Sequence, residues 1–179
     1  MRTLSIIQIF SLMTLLFFSG CSSIAPSPPT VPTASGIDGQ FDAARFMGHE
    51  ALRHGIEAPL CEDETATHIV FTGEGEVEWI GDVTVLLSTC LEMFTTSLQG
   101  AGIIATSEGE LLNLELTSGS YQDAGLRVHF EIVGGTGRFA GASGTGQIHE
   151  VDHATTVFSN SEFHFELDGE IVTQRVLPR

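Results

Sequence analysis

Lysine is absent from this chain. Its seven basic residues are all arginine and stand against 23 acidic ones, a formal net charge of −16 over 179 residues. A surface of that sign repels phosphates, which excludes a general role on nucleic acid or on anionic lipid surfaces. Tryptophan and tyrosine occur once each, as Trp79 and Tyr121. Trp79 lies two residues from Val77, and the pair reads as one apolar face, so Trp79 is expected in the core rather than on a binding platform. Long hydrophobic runs are also missing outside the N-terminus. No Ser-His-Asp set is legible, because three scattered residue types establish no geometry. Nothing in the chain asks for a cofactor, and no catalytic residue is assigned.

The N-terminus carries the one apolar run. Arg2 precedes Leu4 to Phe18, which is interrupted by Ser5, Gln8, Ser11 and Thr14. It is too short and too broken to span a membrane, and it has the form of an export signal over residues 1–20. The signal ends in Leu16-Phe17-Phe18-Ser19-Gly20-Cys21, which resembles a bacterial lipobox with Phe18 where leucine is usual. Cys21 is thereby expected to carry the lipid and to be the first mature residue, the alternative being a plain secretory signal. Ser22 in place of aspartate implies the outer membrane in the lipoprotein sorting pattern. The membrane is then a partner through the lipid anchor alone.

Residues 21–36 are rich in Ser, Pro, Thr and Ala, and read as an extended tether. Residues 37–62 read as a lead-in. Phe41, Ala44, Gly48, Ala51 and Leu52 fall near helical spacing, while Gly48, Gly55 and Pro59 limit any helix to a few turns. A lead-in strand and a loop are the alternatives. Two cysteines remain after Cys21, at Cys61 and Cys90. In an oxidising compartment one disulfide is the expectation, with two separate buried thiols as the alternative. Cys61, beside Glu62, Asp63 and Glu64, is a poor nucleophile because neighbouring acids raise a thiol pKa.

Residues 63–179 are expected to form the barrel domain, and from Thr67 the period becomes two. Ile69 and Phe71, then Val77 and Trp79, then Val83, Val85 and Leu87 each share a face. Leu112, Leu114 and Leu116 alternate with polar neighbours, as do Val128, Phe130 and Ile132, and Phe163, Phe165 and Leu167. Short alternating runs separated by turn signals indicate an all-β barrel or sandwich, and one wet face per strand indicates antiparallel pairing. The wet faces carry Glu76, Glu78, Glu115, Glu131, Glu162 and Glu166, a charge density no lipid-facing band tolerates. The barrel is therefore expected to be tethered to the membrane, not inserted in it.

Between two of these runs lies Gly134-Gly135-Thr136-Gly137-Arg138-Phe139-Ala140-Gly141-Ala142-Ser143-Gly144-Thr145-Gly146. It contains the letters of a dinucleotide-binding G-x-G-x-x-G/A, but that motif needs a helix after it, and each further glycine costs a helix about 1 kcal/mol. The stretch is expected to be a structural loop, with Gly134, Gly135, Gly137, Arg138, Gly141 and Gly144 forming the turn and Phe139 tucked beneath it as an anchor. This run resembles the GGTGRF-x-GA-x-G signature of bacterial exported proteins similar to the allene oxide cyclase and dirigent barrels. Two weaker patches agree: Phe71-Thr72-Gly73-Glu74-Gly75 with Gly81-Asp82-Val83-Thr84-Val85, and Phe163 to Ile171. The resemblance covers roughly residues 67–172 and implies a small antiparallel barrel of about eight strands. It carries over no activity, since no residue here matches a catalytic set of those enzymes.

Two polar groups merit weighing. His149, Glu150, Asp152 and His153 are the densest set of metal-ligand types, but His149 and His153 would lie about 13 Å apart on an extended strand, too far to share one ion. His164 could join only through a bulge or turn, so a solvated face is expected and no metal is assigned. Glu162, His164, Glu166 and Asp168 form a stripe on the last strand, expected on the barrel's outside. The chain thus reads as a lipid-anchored, non-enzymatic barrel of the cell envelope that binds a small apolar ligand or a partner protein. The alternatives are an isomerase- or cyclase-like enzyme at the barrel mouth and a purely structural envelope protein. A buried acid or base on the inner face would favour the enzyme. Oligomeric state stays open.

Overall fold

A computed structural model of the chain describes residues 30–56, 61, 66–92, 97–122, 125–151 and 162–176. Eight strands form a closed barrel in sequence order: β1 (Thr30–Met47), β2 (Thr67–Val77), β3 (Gly81–Leu91), β4 (Leu98–Thr106), β5 (Leu111–Gln122), β6 (Gly125–Gly135), β7 (Ser143–Glu150) and β8 (Glu162–Val176). Every neighbour pair is antiparallel, and β8 returns to β1 to close the ring. One short helix, α1 (Gly48–Arg53), follows β1, and a single 3-10 turn (Gly137–Phe139) lies between β6 and β7. Closure leaves most strands with a partner on each side, which removes the exposed edges an open sheet would present.

Alternation builds the core. Ile69, Phe71, Val77, Val83, Val85, Leu87, Leu112, Leu114, Leu116, Val128, Phe130, Ile132, Phe163, Phe165 and Leu167 are all buried, as their period requires. Phe41 stacks on Phe165 with ring centroids 5.0 Å apart, and Phe71 meets Phe165 edge-on at 5.4 Å and Phe163 at 5.9 Å. Such aromatic pairs contribute about 0.5–1.5 kcal/mol each beyond their area burial. The phenylalanine cluster fills this part of the barrel interior with side chains.

The N-terminal elements take definite bounds, and one expectation, the place of Trp79, is corrected. The barrel's first strand comes from residues assigned to tether and lead-in: β1 pairs with β8 from Thr30↔Val176 to Ala44↔Glu162 and with β2 only from Gly39↔Val77 onward. Pro32, with no N–H to donate, lies where β1 has a partner on one side alone, the place a strand tolerates proline. The expected short helix is present over six residues, Gly48–Arg53, while Phe41 lies outside it and faces the core from β1. Trp79 is not a core residue. The alternation stops at Val77, because the Val77↔Gly81 pair closes a turn over the three residues between them. Trp79 stands in that turn with φ +53° and is 43% exposed, while Ile80 takes the buried place.

Cys61 and Cys90 form a disulfide with Cα atoms 5.6 Å apart. It ties the segment after α1 to the outer side of β3. Beneath α1, Val70 and Ser88 are buried, Ala51 of the helix is buried, and His68 donates or accepts a hydrogen bond at 2.8 Å with Ser88 Oγ. A Cβ on Gly48 would collide with the His68 ring, so the helix approaches β2 as closely as a glycine permits. Burial pushes the His68 imidazole below its ordinary pKa of 6.5. The signal, Cys21 and the tether up to residue 29 lie outside the described residues.

Candidate functional site

The barrel's two ends differ. At one end the glycine-rich stretch folds over the interior. Gly134 and Gly135 finish β6, the 3-10 turn carries Phe139 inward to complete burial, and Ser143 to Gly146 begin β7. Gly137 adopts φ +57°, and a Cβ there would strike the Glu110 carboxylate, so only glycine serves. Arg138 then reaches two other loops. Its backbone N–H donates to Glu110 Oε1 at 2.8 Å, its Nε lies 2.9 Å from Glu110 Oε2, and an NH2 group donates to the Ile80 carbonyl at 3.0 Å. Thr136 adds two bonds to Leu111, one from each backbone N–H, at 2.8 Å. The Arg138 guanidinium carbon sits 5.0 Å over the Phe139 ring, and Trp79 covers that ring at 6.3 Å while its Nε1–H donates to the Gly36 carbonyl at 2.8 Å. The signature residues therefore clasp and plug one end.

At the opposite end the inner face changes character. Arg45, the next inward position after Phe41 and Ala43, holds its guanidinium carbon 5.2 Å over the Phe163 ring. Glu150 faces inward beside Ile148 at 6% exposure, and its Oε2 accepts the Leu126 N–H at 2.9 Å. Thr89, also buried, donates to the Ile69 carbonyl at 2.9 Å. Glu150 was expected on a solvated face. The missed signal is that Ile148 and Glu150 share a strand face, so a buried isoleucine drags its glutamate inward. Asp152 and His153 lie outside the described residues.

His149 points outward and pairs with Glu166 at 3.2 Å, whereas His164 pairs with Asp42 at 2.7 Å. The two histidines thus serve different acids. No group of three or more His, Cys, Asp or Glu among the described residues is placed to hold a metal ion. The outer stripe on β8 lies on the wet face as expected for His164, Glu166 and Asp168. It helps line a groove of about 420 Å3 with Asp38, Glu76 and Glu78. A second concavity, about 550 Å3, lies between β1 and α1 and is lined by Ala44, Arg45, Phe46, Glu50, Arg53 and His54.

The fold is that of dirigent proteins. The solved pterocarpan synthase dirigent protein GePTS1 superposes with a TM-score of 0.52 at 13% sequence identity, covering 82% of this chain and 94% of that one. The pterocarpan synthase dirigent protein PsPTS1 does so with a TM-score of 0.50 at 14% identity, covering 79% and 96%. At such identity the likeness is one of fold. No family model and no curated protein matches the sequence.

Proposed function

We propose that the chain is a lipid-anchored binding barrel of the cell envelope, without catalytic activity, that takes a small apolar ligand or a partner protein at the end away from its clasp. One observation carries this reading. Side chains fill the barrel through the phenylalanine cluster and the Phe139 plug, while a concavity of about 550 Å3, walled in part by Phe46 and His54, sits at the other end. Small barrels either pack their interior or hold a ligand, and here a ligand would have to be taken at the rim.

The anchor gives the barrel an orientation. Thr30 opens β1 at the clasped end, and the stretch from Cys21 to Thr30 reaches at most about 30 Å when extended. With Cys21 acylated, the clasped end faces the outer membrane and the rim faces away. Two acyl-type anchoring signals hold a protein far more firmly than one, at about 0.8 kcal/mol per buried methylene. Cys21→Ser should move the protein out of the membrane fraction, and its persistence there would refute the anchor.

A second reading rests on Glu150. A carboxylate buried on the inner face is the group an isomerase- or cyclase-like activity on an apolar substrate would use as acid or base. Its bond to the Leu126 N–H gives it a structural task instead. Native mass spectrometry of the whole chain in a neutral detergent decides between them. A mass that leaves on denaturation supports binding. A bare chain after exposure to envelope lipid extract, with no co-purifying protein, sinks it, and turnover of an added extract abolished by Glu150→Gln would establish the enzyme.

A further inference from the structure

We infer that the Cys61–Cys90 bridge is a redox latch: oxidised, it holds α1 against the outside of the barrel, and reduced by a dithiol, it lets α1 go. The bridge takes no part in closing the ring. Closure is made by the β1–β8 ladder, whereas Cys61 precedes β2 and Cys90 lies on the outer side of β3. What the bridge does tie down is the chain after α1.

That helix has little else to hold it. It has six residues, and isolated helices shorter than about 12–15 residues are marginal in water. Its buried residues are Gly48 and Ala51, too small to bury much apolar surface, while Leu52 is left 57% exposed. Beneath it Val70 and Ser88 pair across β2 and β3 on the side that is otherwise wet, and both are buried. With the bridge open, the next strand after Arg53 begins only at Thr67, and the entropy of the longer free loop opposes docking.

Cys61 and Cys90 are each half-buried, so a thiolate reaches the sulfurs while the barrel stays closed. The thiolate of the dithiol attacks one sulfur, the S–S bond breaks, and the other cysteine leaves as a thiolate and takes a proton. The dithiol's second sulfur then attacks the mixed disulfide and frees the remaining cysteine. Two electrons pass to the bridge, two protons end on the cysteines, and the dithiol becomes a disulfide. Release removes one wall of the concavity between β1 and α1, since Glu50, Arg53 and His54 all lie on the freed stretch. The latch thereby regulates the site of the binding reading above, and rests on that reading in this respect alone.

The test is limited trypsin digestion of the whole chain in a neutral detergent. The oxidised chain is compared with chain reduced by dithiothreitol at neutral pH, alkylated with iodoacetamide and desalted. Arg53, in the last turn of α1, should be cut at least about tenfold faster in the reduced chain, and well before Arg127 and Arg138 in the barrel. Circular dichroism and Trp79 emission should report an intact barrel when that cut begins. The double variant Cys61→Ser, Cys90→Ser should show the same pattern without reductant, which removes any effect of the alkyl groups. Equal cutting at Arg53 in both states overturns the latch, as does a bridge that dithiothreitol opens only in denaturant. Loss of Arg127 and Arg138 together with Arg53 also overturns it, because the bridge would then hold the barrel and not the helix. Native mass spectrometry decides the binding reading separately, so a released helix without a ligand, or a ligand with a fixed helix, each sinks one inference alone.

Discussion

Arg138 and Glu110 are joined twice, backbone N–H to Oε1 at 2.8 Å and Nε to Oε2 at 2.9 Å, and through the same guanidinium to the Ile80 carbonyl at 3.0 Å. One side chain thereby gathers the β2–β3, β4–β5 and β6–β7 connections. A part-exposed ion pair contributes about 0–1 kcal/mol and a net hydrogen bond about 1 kcal/mol. Arg138→Ala should therefore cost about 1–2 kcal/mol, read as a melting temperature lower by several degrees in circular dichroism. Gly137→Ala should cost at least as much, through strain at its positive φ and collision with the same carboxylate. A wild-type melt in both variants would show that the clasp is incidental.

Phe139 and Trp79 touch, yet their truncations should differ widely. Phe139→Ala empties a fully buried site and should cost about 3–5 kcal/mol. Trp79→Gly loses the bond to the Gly36 carbonyl but frees a residue held at φ +53°, two effects of about 1 kcal/mol that oppose each other. Chemical denaturation of the two variants measures the contrast. Trp79 is the sole tryptophan, so acrylamide quenching of intrinsic fluorescence reports its exposure directly. Emission resistant to quenching would place the ring back in the core.

Reducing the Cys61–Cys90 bridge, which spans 29 residues, should lower stability by about 3–4 kcal/mol in the chain-entropy model. Alkylation of the native chain without reductant should leave the peptides containing Cys61 and Cys90 unmodified. With reductant both should take the label.

The half-buried His68 makes stability depend on pH in one direction. Its pKa is depressed in the fold, so below about 6.5 the unfolded chain binds the proton more readily, and stability falls as the pH drops through that point toward the lower folded value. Above 6.5 its contribution is complete. His68→Gln should flatten the denaturation midpoint between pH 7 and pH 5 relative to the parent chain. Identical pH profiles for the two proteins would mean that His68 does not sense the fold.

The strands from β2 onward were largely legible because a half-buried strand writes its burial into every second residue, as in Val128, Phe130 and Ile132. β1 was not, because small residues occupy inward positions in it. Gly39, tight against Val77, and the buried Ala43 present no large side chain and leave no alternation to see, while Phe41, Ala44 and Ala51 mimic a helical stripe. The glycine stretch was readable as a turn with Phe139 as its anchor. That Arg138 binds the carboxylate of Glu110 and the carbonyl of Ile80 was not, since those partners lie 28 and 58 residues away.

By itself the sequence determined the all-β class and the wet and dry faces of most strands, and it left Cys61 and Cys90 as the one pair available to bridge, all consequences of local period and composition. Only the tertiary structure decided that residues 30–36 pair with β8, that Trp79 lies in a turn and Glu150 inside, and that Arg138 meets Glu110 and Ile80. Ring closure is the physical reason. Pairing β1 with β8 brings the first and last strands into register, and that constraint acts on rim residues without leaving a trace in their neighbours along the sequence.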